Sequence, residues 1–301
     1  MKALDLENEA RDFFIKHYNN ASSSTKRLGT LKSQSGLNGC VRVICQATRH
    51  LGLKSIYDIT KPLAIDYIET MNQRHYAYNY LCDIRSAFER LFFIYGEKTR
   101  LCEISGFAQK RANIDKSYTF EEIITLAQHA SPSTELAILV AFNAGLTAGE
   151  LYTLQRTDEA HPVDTLLFEG REQGRKYIVT SKGKKREIWL EDNLAQALEM
   201  RRLSTPKKNI SRGMVYLSNY NIDGGQSVSH NFTLLAQKHI NRSFGLEGVR
   251  YTFAQQRYQS LTRLGYLSDD IYPILASELG YKNRHVAKRF IEPWTYLRIK
   301  E

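Results

Sequence analysis

Residues 177–190 read Tyr177-Ile178-Val179-Thr180-Ser181-Lys182-Gly183-Lys184-Lys185-Arg186-Glu187-Ile188-Trp189-Leu190. Two runs rich in β-branched and aromatic residues, Tyr177–Thr180 and Arg186–Leu190, flank the turn Ser181–Lys184. That is the pattern of an antiparallel hairpin. With Thr165–Phe168 as a further strand, residues 164–190 are expected to form one small antiparallel sheet with a basic tip. Almost everything on either side has helical spacing. The predicted class is therefore mainly α with a small antiparallel β-sheet (α+β).

Working towards the N-terminus, residues 148–155 and 133–143 read as helices, the second buried. Thr119-Phe120-Glu121-Glu122 has the Thr-x-x-Glu spacing of a capping box that opens another. The polar stretch 106–117 reads as a linker. Ahead of it, residues 8–17, 38–51 and about 60–71 read as helices, with Gly52 closing the second and Thr60 as the N-cap of the third. The strongest helix is 77–95, with Leu81, Ile84, Phe88, Leu91 and Phe92 on one stripe and Gly96 ending it. Towards the C-terminus, helices are expected at about 191–202, 226–241, 250–264, 268–279 and 283–291. The expected division is two domains, 1–112 and 113–301.

The chain has 301 residues, 42% hydrophobic and 25% charged, enough for a core in each domain and unlike a disordered or fibrous chain. Its longest apolar run, Leu136–Phe142, is seven residues, far short of the roughly 20 that cross a bilayer. No signal peptide is visible in Met1–Glu7, so a cytoplasmic location without a membrane partner is expected. The cysteines, Cys40, Cys45, Cys82 and Cys102, form no CxxC. They read as reduced and packed, with no metal site and no cofactor expected. Lys and Arg number 42 against 32 acidic residues, a net charge of +10. Seven basic residues and one acidic fall in 171–186, and five basic with no acidic residue in 201–212. Clusters of this kind suit a polyanion, because each neutralised phosphate releases counterions.

Four short segments then acquire a common meaning. Gly145-Leu146-Thr147-Ala148-Gly149-Glu150-Leu151 resembles the first arginine box of the tyrosine recombinases and phage-type integrases. The 181–186 segment resembles their hairpin with its catalytic lysine. Glu247-Gly248-Val249-Arg250-Tyr251-Thr252-Phe253-Ala254 resembles their His-x-x-Arg box. Leu279-Gly280-Tyr281, with Phe290 nine residues on, resembles the box that carries the third basic residue and the nucleophile. Order and spacing agree over about 116–291, and the helical first third resembles the family's core-binding domain. The resemblance implies a two-domain clamp around double-stranded DNA.

It also implies a chemistry: a tyrosine hydroxyl attacks a DNA phosphate while two arginines and a histidine-type donor stabilise the developing charge and a lysine protonates the leaving oxygen. Carried over, the set is incomplete. Lys182 and Arg250 are retained as vestiges. The first arginine position holds Thr147, the histidine position Glu247, the histidine-or-tryptophan position Tyr281, and the nucleophile position Phe290, which has no hydroxyl. Losing one phosphate-stabilising donor costs about 10²–10³ in rate, and losing the nucleophile removes the covalent route. Tyr296, Tyr281 and Tyr251 are the candidate substitute nucleophiles. Glu150 is expected to be structural, and His239 and His285 are expected to be surface or satisfied histidines.

The expected DNA-binding residues are Lys182, Lys184, Lys185, Arg186, Arg250, Arg201, Arg202, Lys207, Lys208 and Arg85, with Arg90 beside Arg85 on the polar side of the 77–95 helix. The preferred reading is site-directed duplex DNA binding with a degenerate active site, accessory to recombination or transfer of a mobile element or plasmid in a bacterial cell, nucleoid- or plasmid-associated. The alternative is an active strand-cleaving recombinase or atypical conjugative relaxase with a relocated tyrosine. A third reading has the tail 291–301 docking on a second copy, an active recombinase or a transfer protein.

Overall fold

The computed structural model describes residues 3–18, 34–97, 101, 114–160, 163–164, 166–171, 173–181, 184–211 and 214–298. Lys182, Cys102 and most of the 106–117 stretch lie outside the described residues, as do the side chains of Trp294 and Tyr296. Within them lie eleven α-helices and two small antiparallel sheets. The chain divides into two compact units, 1–112 and 113–301.

The first unit holds α1 (Ala3–Tyr18), α2 (Gln34–His50), a 3-10 turn (Ile56–Asp58), α3 (Lys61–Gln73) and α4 (Tyr78–Ile94). The α4 stripe packs inward as its spacing requires, with Leu81, Ile84, Phe88, Leu91 and Phe92 all buried against α1, α2 and α3. Gly52 and Gly96 follow α2 and α4 with φ of +67° and +87°, the left-handed conformation a glycine adopts without penalty. The Glu9 carboxylate accepts from Ser55 Oγ (2.6 Å) and Ile56 N (3.1 Å), tying α1 to the 3-10 turn. Thr60 is the N-cap of α3 by position, but its side chain makes no capping hydrogen bond; Pro62, in the first turn, lacks a donor that would need one. Cys40, Cys45 and Cys82 are free thiols, the first two buried.

The second unit begins with α5 (Phe120–Gln128), α6 (Pro132–Ala144) and a 3-10 turn (Glu150–Thr153). Its sheets are β1 (Gln155–Arg156), β2 (Arg175–Ser181) and β3 (Lys184–Leu190), and, beyond α7 (Asp192–Glu199), β4 (Arg202–Ser211) with β5 (Met214–Tyr220). It ends with α8 (Gly225–Ile240), α9 (Gly245–Arg263), α10 (Ser268–Glu278) and α11 (Arg284–Arg298). The capping box forms at α5: Thr119 Oγ1 accepts from Glu122 N, and Glu122 Oε2 from Thr119 N. Buried residues ring α9 on every side and cover most of α6, marking them as the central helices.

Several expectations are corrected. The hairpin forms with register Val179↔Arg186 and Ser181↔Lys184. Its third strand, however, is Gln155–Arg156 on β2 rather than Thr165–Phe168, whose described residues form no strand and end in Phe168 at φ +52°. The helix expected over 148–155 is only the short 3-10 turn, because Thr153 is pinned sideways to Thr180 of β2 (2.9 and 3.1 Å). The 191–202 helix stops at Glu199, since Arg202 opens β4. The β4–β5 hairpin is absent from the sequence-based expectation, because Pro206 and the lysine pair interrupt its alternation. The helix expected from 250 starts at Gly245, and α11 passes Pro293, which deletes one backbone donor without forcing a stop.

Candidate active site

Four segments distant in sequence converge at the C-terminus of α10. Arg250, on α9, points all three of its donor groups inward. Nε donates to Gly145 O (2.8 Å), Nη2 to Leu279 O (2.8 Å) and Nη1 to the Tyr281 hydroxyl (3.2 Å). Its guanidinium lies over the rings of Tyr281 and Phe290, at 5.5 and 5.9 Å. Arg250 is 4% exposed. It is thus no surface arginine: it ties the ends of α6 and α10 to α9.

Arg186 approaches the same helix end from β3. Its Nη1 donates to Glu278 O (2.6 Å) and its Nε to Glu150 Oε1 (3.2 Å). Two arginines on the last carbonyls of α10 satisfy acceptors that a helix end leaves free and offset its negative pole. Gly280, at φ +79°, makes this possible: a Cβ there would stand 2.7 Å from Arg186 Nε. Arg186 was expected at the DNA surface. Its side chain is 11% exposed and ion-paired inward, because Glu150 lies beneath the sheet.

Glu150 is 2% exposed. Its Oε2 accepts from Thr147 N (2.7 Å) and Thr147 Oγ1 (2.8 Å), while Thr147 Oγ1 accepts from Glu150 N (3.4 Å). Thr147 and Glu150 form a reciprocal box across the 3-10 turn, the motif that also opens α5. Burial alone would raise the Glu150 carboxyl, but the charges of Arg186 and Arg250 and the two Thr147 donors outweigh it and hold the group below its ordinary value. The pocket's positive charge therefore faces a carboxylate of the protein itself. The Thr-x-x-Glu spacing at 147–150 is the sequence signal from which this box could have been found.

Phe290 is completely buried, its ring 4.6 Å from that of Tyr251 and 6.2 Å from that of Tyr281. Tyr251 is buried too, and desolvation, reinforced by Glu247, pushes its hydroxyl up, away from the ionised nucleophilic form. Glu247 is exposed at the start of α9. Tyr281 is half-buried and its hydroxyl accepts the Arg250 hydrogen bond. His285 is exposed, whereas His239 stacks on His129 at 4.0 Å between ring centroids.

The remaining basic residues divide sharply. Lys184 and Lys185 on β3 and Lys207 and Lys208 on β4 are exposed, and Arg201 is half-buried. Arg202 is paired at the surface with Glu159, and Arg85, only 17% exposed, lies 3.6 Å from Glu89. Arg90 Nη1 turns back to Cys40 Sγ (3.4 Å). The two hairpins that carry the exposed lysines are anchored to the same 3-10 turn. Thr153 binds Thr180 of β2 on one side, and on the other Tyr152 O accepts from Ser218 Oγ of β5 (3.2 Å). A second tie is Glu199, whose Oε1 accepts from Tyr177 of β2 and Tyr220 of β5, both at 2.9 Å.

The fold as a whole is similar to that of solved structures. A lambda integrase fragment dimer bound to a COC′ core site matches 94% of this chain and 95% of its own, with 17% identity and a TM-score of 0.54. The chain has the tyrosine recombinase fold. A second lambda integrase dimer on a COC′ core site matches at 14% identity and TM-score 0.53, over 98% of this chain and 82% of the other. XerA recombinase is 14% identical over 98% of both chains, with a TM-score of 0.41. No protein-family model matches the chain, and no curated protein matches it significantly. Within this recombinase fold, no helix among the described residues is long and apolar enough to cross a membrane, and no group of three or more His, Cys, Asp or Glu side chains there could hold a metal.

Proposed function

We propose that the protein binds duplex DNA through this fold without cleaving it. The single observation that carries the reading is the buried Phe290: the position that the family resemblance assigns to the nucleophile has no hydroxyl. Beside it the Glu150 carboxylate, at a position that the resemblance makes structural, faces Arg186, and Thr147 stands where the resemblance places the first arginine. Affinity then comes from the exposed Lys184, Lys185, Lys207 and Lys208, on two hairpins braced against one turn, together with Lys182 of the same basic segment. The lambda integrase structures, which hold a core site, support DNA as the partner. Residues 1–112 act as a core-binding domain and 113–301 as a catalytic-fold domain whose chemistry has been lost. The role we assign is accessory, marking or bending a recombination or transfer site of a mobile element, with the tail 291–301 docking on a second copy or an active recombinase.

The test is retention of short host DNA fragments on the purified protein, sequenced from a native eluate and from material that survives an SDS wash. Enrichment confined to the native eluate supports a non-covalent, site-directed binder. Absence of duplex binding at low salt overturns it.

A second reading, strand cleavage by a relocated tyrosine, has one observation on its side: the Tyr281 hydroxyl is 3.2 Å from Arg250 Nη1. An SDS-resistant adduct that disappears in Tyr281→Phe would establish it.

A further inference from the structure

A cavity of about 870 Å³ opens in the second unit between α5, α6, β3 and α9. None of Thr147, Glu150, Arg250, Tyr281 or Phe290 lines it. One wall is apolar, formed by Phe120, Leu139 and Phe142, and Phe120 is half exposed at its rim. Opposite stands Arg171, whose guanidinium lies between the rings of Trp189 (5.0 Å) and Phe253 (5.2 Å).

Arg171 is unusual for the company it lacks. The guanidinium's one hydrogen bond among the described residues runs from Nη1 to Asn143 O at 3.4 Å, the long limit of such a bond. No carboxylate among the described residues forms an ion pair with it. Two carboxylates bring charge to it: Glu278, which is clasped by Arg257 through three contacts of 2.7 to 3.0 Å, and Glu191, which lines the same cavity. Burial pushes the Arg171 guanidinium down to about 10, so it is still charged at neutral pH. A guanidinium stacked between two rings keeps the donors along its edges free, and those donors have the fork geometry that matches a carboxylate or phosphate.

We propose that this cavity is a binding site for a small amphipathic organic anion, its apolar body against Phe120, Leu139 and Phe142 and its anionic head on Arg171. The volume falls within the range that ligand sites of this kind occupy. Desolvating an arginine that has no ion-pair partner among the described residues is unfavourable, and an anion arriving from solution lowers that penalty. The site does not depend on DNA binding, because its lining shares no residue with the four exposed lysines.

The experiment titrates the full-length protein, without DNA, with two fluorescent probes of similar shape: anionic 8-anilinonaphthalene-1-sulfonate and neutral N-phenyl-1-naphthylamine. The expected result is one saturable site for the sulfonate. Its Kd rises at least tenfold in Arg171→Met and much less in Arg171→Lys, while the neutral probe changes less than twofold in either. Leu139→Trp, which fills the cavity, abolishes binding of both. Equal sulfonate affinity in wild type and R171M overturns the proposal, as does binding that L139W leaves unchanged. Should R171M fail to fold, a Trp294→Phe background leaves Trp189 as the single tryptophan. Energy transfer from Trp189 to the bound sulfonate is then expected, and its absence overturns the site.

Discussion

The Glu150 carboxylate and the Arg186 guanidinium are 3.1 Å apart at Oε1 and Nη2, in a setting where the glutamate is 2% exposed. A buried pair of this kind contributes little over an apolar substitute, but breaking it strands a charge. Glu150→Gln is expected to destabilise the protein by about 3–5 kcal/mol. The double variant E150Q/R186M is expected to recover a large part of that loss. Urea unfolding of wild type and both variants measures it.

The same pair sets a pH dependence. The folded carboxyl of Glu150 lies below its ordinary value of 4.5, so the unfolded chain binds its proton first as pH falls. The stability it contributes is fully present above about pH 4.5 and is lost as pH drops through the depressed folded value. The gap in urea midpoint between wild type and E150Q is therefore expected to be constant from about pH 7 to 5 and to close below about pH 4.5. A gap that stays constant down to about pH 3 would contradict the assignment.

Restoring the missing hydroxyl is expected not to restore chemistry. In Phe290→Tyr the new oxygen enters the contact between the rings of Tyr251 and Tyr281, with Arg250 already committed to Gly145, Leu279 and Tyr281. The expected outcome is a loss of about 1–3 kcal/mol from burying an unpaired hydroxyl and no SDS-resistant complex with labelled duplex. A covalent band in F290Y would show that the pocket still admits a phosphate.

DNA affinity is expected to follow the exposed lysines. Replacing Lys184, Lys185, Lys207 and Lys208 by Gln should lower the slope of log K against log salt by about 0.9 for each phosphate that goes unneutralised, up to about 3.6 for all four. Arg202→Gln is the control: its guanidinium is already paired with Glu159, so little change in slope is expected. Gel-shift titrations at several salt concentrations read both.

Glu199 joins the two hairpins by accepting from Tyr177 and Tyr220, while Arg156 of β1 donates to its other oxygen (Nε, 2.9 Å). Glu199→Ala leaves two buried phenols without their acceptor and is expected to cost about 1–3 kcal/mol. E199Q, which keeps an acceptor, should recover part of that. Thermal melts followed by near-UV circular dichroism, which reports the tyrosines, check the order.

What was legible in the sequence was whatever a short window encodes. The α4 stripe, the Thr119–Glu122 box and the 177–190 hairpin each depend on neighbours within a few residues, so periodicity and turn chemistry locate them. That Phe290 cannot act as a nucleophile is likewise settled by its side chain alone. The β4–β5 hairpin escaped because its outward face carries Ile210, Val215 and Leu217, all well exposed, so the alternation of apolar and polar residues does not mark an inside. The 165–168 stretch misled for the opposite reason: its described residues, Leu166, Leu167 and Phe168, are apolar and form no strand.

Only the tertiary structure decided which charges face water. Arg186 lies two residues along β3 from the exposed Lys184 and is turned inward because Glu150, 36 residues earlier, and the Glu278 carbonyl, 92 residues later, give it acceptors. Arg250 is inward because three segments, the end of α6, the end of α10 and the loop after α10, bring it acceptors. Arg171 owes its place to Trp189 and Phe253, from different elements. The chemical identity of each side chain is a property of the sequence. Whether an arginine binds a partner, braces a helix end or waits for an anion depends on groups that the chain brings together only by folding.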